Sequence, residues 1–368
     1  MADESQTPPQ QPMMPQQGAM PGMPQPGMPG AMPQANPMGM MMQMMQMMQM
    51  MGGGGGAMPM GGMTMDPSAM PFAVPQATED ADPGLDSDII RPSLLANRVK
   101  TQEGVEMGSV LDVLCLTEDG EHALGGIPKG CTMALAGPPG KGKTRSALAG
   151  LVKVAATGTR CAFVVAEEGF HTEENGGRDD LCSRLVKLGM HVTGLDEDKL
   201  AEQVLDNIWV LESQYHKGQS WDDFIQRYRY LVEKERIDFV IIDSLNMLDP
   251  TKHRTADNLS ALKTYNHENG VTCLCIGQIR DTGSPVGGEA LQHTADAVFL
   301  IEEMSLTSKD MAAEWGGKYR EKIEIVRAIK SVTTPIFPYP IRIEREPGLG
   351  IMTVHPAQPA EYTPPAPA

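Results

Sequence analysis

The segment Gly-Pro-Pro-Gly-Lys-Gly-Lys-Thr at residues 137–144 constrains the fold of this chain more than any other part of its sequence. It matches the pattern G-x-x-x-x-G-K-T, in which the glycines let backbone N–H groups close around a phosphate. A mostly apolar run, Thr132–Ala136, precedes it, and an amphipathic stretch, Lys143–Ala156, follows it. The sequence therefore predicts a strand, a phosphate-binding loop and a helix, in that order.

This loop predicts a site for ATP and Mg²⁺. Lys143 is expected to reach the β- and γ-phosphates and to act in catalysis, and the Thr144 hydroxyl is expected to bind the metal. The predicted nucleotide-binding residues are Gly137, Pro138, Pro139, Gly140, Lys141, Gly142, Lys143 and Thr144.

Asp243 is the candidate for the second carboxylate that a metal–nucleotide site needs. It ends the run Phe239–Asp243, whose four apolar residues are typical of a strand buried on both faces. Ligands of parallel sheets bind at the carboxyl ends of the strands, which is where this carboxylate is expected to lie. Thr144 and Asp243 are thus the predicted metal-binding residues.

Hydrolysis also requires a group that orients or deprotonates water, and two glutamates follow the apolar run Val164–Ala166. Glu167 is the first candidate and Glu168 the second, and solvated loop acids are the alternative interpretation. Gln278 follows the run Cys273–Gly277, so its amide is either a sensor of the γ-phosphate at the same edge or a turn residue.

Short apolar runs alternate with amphipathic segments, which predicts βαβ units and an α/β fold with a mostly parallel sheet. The predicted strands of this part are Thr132–Ala136, Cys161–Ala166, Ile208–Leu211, Phe239–Asp243, Thr272–Ile276 and Ala297–Ile301. The predicted helices are Lys143–Ala156, Arg178–Leu188, Trp221–Glu235, Asn258–Asn269 and Gly288–Thr294. An antiparallel extension is predicted from the strands Lys322–Ile329, Ile341–Glu344 and Ile351–Val354, which Pro and Gly separate.

Residues 1–90 are rich in Met, Pro, Gln and Gly, a composition that cannot bury enough apolar surface to offset the entropy of ordering. We predict a disordered tail there, a folded domain at 91–355 and a flexible Pro/Ala-rich terminus at 356–368. The repeated Met-Met-Gln of Met40–Met51 is either an adaptable surface for a protein partner or low-complexity sequence without one. The Met-rich run is too short to cross a bilayer, so a cytoplasmic protein that binds no membrane is expected.

The net charge of −17, from 47 acidic and 30 basic side chains, provides no overall attraction to nucleic acid. Any contact with DNA must therefore be local. The six cysteines include no C-x-x-C pair, which argues against a zinc ribbon or a disulfide framework.

Three longer segments resemble the RecA superfamily, in particular the group of RadA repair ATPases, RecA and archaeal recombinases and KaiC-type ATPases. They are LGGIPKGCTMALAGPPGKGKT, VVAEEG followed by DLCSRLVKLGM, and GQIRDTGSPVGGEALQHTADAVFLIE. The resemblance covers roughly residues 111–353 and implies that the domain is a RecA-like P-loop NTPase with ATPase activity.

The resemblance also implies partners. Members of this group form homo-oligomers, as rings or filaments, and the segments 249–257 and 279–288 lie where recombinases bind single-stranded DNA. A solvated surface turn is the alternative for 249–257. Lys330, with Arg327 as the second choice, stands where a basic group would reach the γ-phosphate of a neighbouring subunit, although RAIKSVT replaces the Lys-Asn-Arg-Phe-Gly motif of RadA. A solvated lysine at the end of a strand is the alternative for Lys330. The implied function is an ATPase of DNA recombination or repair. A hexameric DNA helicase motor and a KaiC-like regulatory or assembly ATPase without nucleic acid are the alternatives.

Overall fold

A computed structural model of the protein describes residues 101–171, 179–214, 218–248, 255–279 and 294–367. The predicted tail at 1–90 lies outside these residues, as do residues 249–254 of the predicted segment 249–257, residues 280–288 of the predicted segment 279–288, and nearly all of the predicted helix Gly288–Thr294. Among the helices of the described ranges, none combines the length and the apolar character needed to cross a membrane.

The core of the domain is a nine-stranded sheet with the order β11-β10-β9-β8-β3-β7-β6-β4-β5. Six adjacent strands, from β8 to β5 in this order, are parallel. Their bounds are β3 Thr132–Gly137, β4 Cys161–Val165, β5 Ile208–Glu212, β6 Phe239–Asp243, β7 Thr272–Gln278 and β8 Ala297–Ser305. A separate antiparallel pair is formed by β1 Gly104–Val105 and β2 Ile127–Pro128.

Helices cover both faces of the parallel part, because its strands carry apolar side chains in both directions. On one face, Met133 and Leu135 of β3 pack in a core with α1 (Lys143–Ala155) and α2 (Leu181–Thr193). On the other face, Ala134 packs in a core with α4 (Trp221–Glu233) and α6 (Thr255–Asn269). The shorter helices are α3 Glu197–Gln203, α5 Leu245–Leu248 and α7 Lys309–Glu314.

The sheet continues beyond β8 with three antiparallel strands, as predicted. They are β9 Lys322–Ser331, β10 Ile341–Arg345 and β11 Met352–Val354. The turn between β10 and β11 returns to the parallel part, where the Met352 N–H donates to the Ser146 hydroxyl of α1 at 2.8 Å. The fold predicted from the sequence is therefore confirmed.

Helix ends account for most of the differences from the predicted bounds. The prediction started α2 at Arg178, whereas it begins at Leu181 because the Asp180 side chain accepts a hydrogen bond from the Ser183 N–H and caps the first turn. It continues past Leu188 to Thr193, and Gly194 ends it in the left-handed conformation. The helices α3, α5 and α7 and the strands β1 and β2 are too short to give a periodic signal, and the sequence did not predict them.

The Pro/Ala-rich terminus 356–368 is predicted to be flexible, and its flexibility stays a prediction. Its described residues contact the domain. The Tyr362 ring centroid lies 5.0 Å from that of Trp315 and 5.2 Å from that of Tyr339, and the Ala123 N–H donates to the Ala366 carbonyl at 3.0 Å. The Tyr362 side chain thus anchors the segment 356–368, which has few other apolar side chains large enough to pack on the domain.

Candidate active site

The phosphate-binding loop connects the end of β3 to the start of α1, as its sequence predicts. Gly140 and Gly142 have φ angles of 73° and 90°, which favour glycine. A Cβ atom on Gly142 would lie 2.6 Å from the Gly350 carbonyl oxygen, so a side chain there would also clash with the β10–β11 turn. The loop conformation therefore depends on both glycines.

Lys143 begins α1, and its side chain folds back into the loop. Its Nζ donates hydrogen bonds to the carbonyls of Gly137, at 2.9 Å, and Pro138, at 2.6 Å. Burial lowers the pKa of this lysine, and the negative charges of Asp243 and Glu167 oppose that effect. A nearly buried ammonium, held by two loop carbonyls where the phosphate-binding loop meets α1, is suited to bind a polyphosphate.

Asp243 ends β6 and contacts Thr144, the residue that follows Lys143. The Thr144 hydroxyl donates to Asp243 Oδ2 at 2.6 Å, although 98 residues separate the two in sequence. Burial, joined by the nearby Glu167 and Glu168 charges, raises the pKa of Asp243 to about 6 against the opposing effect of the Thr144 hydrogen bond. A hydroxyl and a carboxylate side by side, within a cluster of acids, are the oxygen ligands that Mg²⁺ prefers. The donor set therefore fits the predicted metal.

The two candidate glutamates follow β4 and have different partners. Glu167 Oε1 accepts a hydrogen bond from the Gln278 amide at 3.0 Å, which places it with the residue that ends β7. Glu168 instead forms an ion pair with Arg184 of α2 at 3.0 Å. Glu167 thus lies among the residues of the carboxyl edge, and Glu168 faces the helix. Glu167 is therefore kept as the first candidate for the group that acts on water, and this role stays a prediction.

The antiparallel strands form one side of the loop. Lys141 makes ion pairs with Glu303 of β8 and Glu324 of β9, both at 2.8 Å. Arg345 of β10 donates to the Gly140 carbonyl at 2.8 Å and pairs with Glu324 at 3.1 Å. Lys141, which the motif leaves unspecified, therefore pairs with β8 and β9 in this structure, and its contact with a nucleotide stays a prediction.

A cavity of about 340 Å³ extends from the loop. Its lining consists of residues 140–145 together with Arg184, Arg345 and Gly350. The sequence did not predict the three arginines or Gly350 as site residues. Only Arg145 had a local signal, because it directly follows the motif.

Most of this domain matches a known protein family. A family model described as "ATPase: KaiC" matches residues 105–354. The chain belongs to the KaiC ATPase family. The predicted resemblance to P-loop ATPases of the RecA superfamily is thereby confirmed.

Curated relatives of this KaiC-family chain are more distant. The DNA repair and recombination protein RadB of Methanosphaera stadtmanae is 27% identical over 195 residues, which are 49% of this chain and 75% of that protein. Protein RecA of Mycobacterium ulcerans is 25% identical over 252 residues, which are 62% of this chain and 63% of that protein. The chain thus spans less than two thirds of the length of that RecA.

A solved KaiC-like protein from Pyrococcus horikoshii OT3 is 22% identical to this chain. The match covers 70% of this chain and all of that protein, with a TM-score of 0.48.

Lys330 of this KaiC-family chain lies at the opposite edge of the sheet from its own phosphate loop. It pairs with Val298 in the β8–β9 register, and Val298 neighbours Ala134 near the start of β3. Its Nζ donates to the Ala295 carbonyl at 3.1 Å, and burial lowers its pKa. The separation along the strand from Ala134 to Gly137 is about 10 Å at 3.3 Å per residue. Lys330 therefore does not complete the nucleotide site of its own subunit, and its role toward a neighbour stays a prediction.

Proposed function

We propose that this protein is an oligomeric, Mg²⁺-dependent ATPase whose hydrolysis is stimulated by single-stranded DNA, in recombination or repair. The observation that carries the hydrolytic part is the contact between Thr144 and Asp243 beside the buried Lys143. Family membership supports the same chemistry, because the matched model describes an ATPase.

Each candidate residue has a distinct role in the proposed reaction. Lys143 and the loop N–H groups bind the β- and γ-phosphates and stabilise the charge that develops during transfer. Thr144 and Asp243 hold Mg²⁺, which when bound neutralises the phosphates and orients them. Glu167 orients the attacking water and accepts its proton.

A link from hydrolysis to DNA runs through Gln278 in this proposal. Its amide bonds Glu167 at 3.0 Å, and it immediately precedes the segment 279–288, for which the sequence predicts DNA binding. A ligand that moves this segment would therefore move a partner of the proposed base. The similarity to RadB, a DNA repair and recombination protein, supports this assignment.

Assembly into a homo-oligomer is part of the proposal because Lys330, the basic group that the resemblance assigns to the γ-phosphate, does not line the cavity of its own subunit. Lys330 lies at the far edge of its own sheet, so its proposed role requires a second subunit. A basic group supplied in trans is a common way to complete P-loop sites.

The test is ATP hydrolysis by the full chain with and without Mg²⁺, and with and without oligo(dT), at low and at physiological salt. We expect Mg²⁺-dependent turnover that oligo(dT) increases several-fold, with a smaller increase at higher salt because phosphate contacts are screened. No Mg²⁺-dependent turnover under any condition would refute the ATPase proposal.

A KaiC-like regulatory or assembly ATPase without nucleic acid is the second candidate, and the net charge of −17 favours it. Turnover that is identical with and without oligo(dT), together with no DNA binding at low salt, would support this candidate. Strand separation of a forked duplex would instead support the helicase alternative.

A further inference from the structure

The cavity beyond the phosphate loop determines how the rest of a nucleotide is bound. The loop residues Gly140–Thr144 take the phosphates, so the sugar and base must continue into the space lined by Arg145, Arg184 and Gly350. This step rests on the proposed function, since it assumes that the loop binds a nucleotide.

Arg184 has the least exposed of the three guanidinium side chains that line this space, ahead of Arg145 and Arg345. Its Nη1 pairs with Glu168 at 3.0 Å, its Nη2 donates to the Asp179 carbonyl at 2.8 Å, and its side chain is 21% exposed. The Arg145 side chain is more exposed, at 38%, and its Nη1 donates a hydrogen bond to the Leu349 carbonyl at 3.1 Å. A side chain that is already fixed loses little further entropy when a ligand packs on it.

The chemistry of this lining differs from that of a selective base pocket. No aromatic ring lines the cavity among the described residues, and Thr144 is the one lining side chain with an oxygen acceptor. The backbone carbonyls of Gly140 and Leu349 already accept hydrogen bonds from Arg345 and Arg145. Arginine offers five donors and no acceptor, and its planar group stacks on the face of any base. Selection of adenine over guanine needs an acceptor placed at the adenine amino group, because hydrogen-bond pairing is what gives large discrimination.

We infer that the base stacks on the guanidinium of Arg184, and that the site accepts purine nucleoside triphosphates as a class rather than ATP alone. Arg184 then determines how tightly the base is bound and allows either purine base to bind. The groups that hold the phosphates are separate from it.

Binding of three ligands tests this inference: ATP, GTP and inorganic tripolyphosphate, each with Mg²⁺ and measured by titration calorimetry on the full chain. ATP and GTP are expected to bind within about fivefold of each other. Arg184→Ala should weaken both by about tenfold, the scale of a partly desolvated cation–π contact, and should change tripolyphosphate binding by less than about twofold.

Two further variants separate stacking from charge. Arg184→Lys keeps a cation near Glu168 and Asp179 but has no planar group, so it should show the same loss for both nucleotides as Arg184→Ala. Lys187→Ala is the matched control, because Lys187 lies one turn further on α2 and pairs with Asp179 at 2.6 Å but does not line the cavity. It should bind all three ligands as the parent does.

Several results would overturn the inference. They are a preference for ATP over GTP above about a hundredfold, unchanged nucleotide binding in Arg184→Ala, full rescue by Arg184→Lys, or an equal loss for tripolyphosphate. In these cases the parent still binds ATP, and the proposed ATPase function survives. If the parent binds neither ATP nor tripolyphosphate, the proposed function itself is wrong and the inference is wrong with it.

Discussion

Asp243→Asn is expected to make the protein more stable at neutral pH and to remove its Mg²⁺-dependent turnover. Burial raises the pKa of Asp243 to about 6, against an ordinary value of 3.8. The folded protein therefore binds this proton more tightly than the unfolded chain does. Protonated Asp243 therefore contributes its whole share to the free energy of unfolding below about pH 4, and this share is lost as the pH rises through about 6.

The size of this effect follows from the two pKa values. At 1.36 kcal/mol per pKa unit, the ionised carboxylate costs the folded state about 3 kcal/mol above pH 6. An asparagine keeps an oxygen that accepts from the Thr144 hydroxyl but carries no charge, so it avoids this cost. The free energy of unfolding of Asp243→Asn should thus exceed that of the parent by up to about 3 kcal/mol at pH 7.5 and approach it near pH 4.

The assay is urea unfolding at several pH values between 4 and 7.5, with EDTA and without nucleotide. Asp112→Asn is the control, because burial also raises the pKa of Asp112 to about 6, but its carboxylate accepts from the backbone N–H groups of Met107 and Ser109 and not from Thr144. Asp112→Asn should change the pH dependence of stability but leave Mg²⁺-dependent turnover close to that of the parent. Equal stability of Asp243→Asn and parent at pH 7.5, or a difference that does not shrink toward pH 4, would refute the reasoning.

The remaining predictions concern the base, the tail and the subunit interface. Glu167→Gln should keep nucleotide binding and slow turnover by about 10²-fold or more in a steady-state assay. If Glu168→Gln gives that loss and Glu167→Gln does not, the assignment of the base is wrong. Removal of residues 1–88 should leave the melting temperature and basal turnover nearly unchanged, because this composition adds little to a core, and a large drop in melting temperature would contradict this. Lys330→Ala should lower turnover without preventing nucleotide binding, and mixing it with Lys143→Ala should restore part of the activity. Undiminished turnover in the single variant would exclude the role in trans.

The parallel sheet was predictable because its strands are short, uniformly apolar runs that end in polar residues. Phe239–Asp243 has the predicted bounds, and its last side chain meets Thr144 as the motif implies. A strand buried on both faces needs apolar residues along its length, and a carboxylate is tolerated only at its end. The same requirement therefore sets both the sequence pattern of Phe239–Asp243 and the place of Asp243 at the edge of the sheet.

The cavity wall was not predictable, because it depends on contacts between residues far apart in sequence. The Arg345 guanidinium contacts the Gly140 carbonyl across 205 residues, and the Arg145 guanidinium contacts the Leu349 carbonyl across 204. Periodicity and motif spacing carry no information on which strand of an antiparallel extension will close over a loop. The position of Lys330 was not predictable for the same reason, because only the pairing of β8 with β9 shows at which edge of the sheet it lies.

ATP hydrolysis by the parent and by Lys143→Ala, with Mg²⁺ present, tests the central claim most directly. Lys153→Ala serves as the control, because it removes a lysine from the last turn of the same helix, where it pairs with Glu106 at 2.6 Å outside the cavity. We predict measurable turnover in the parent and in Lys153→Ala, and nearly none in Lys143→Ala, because this ammonium stabilises charge on the phosphates in the transition state. Turnover of Lys143→Ala within a few-fold of the parent would contradict the assignment of residues 137–144 as the catalytic phosphate-binding loop.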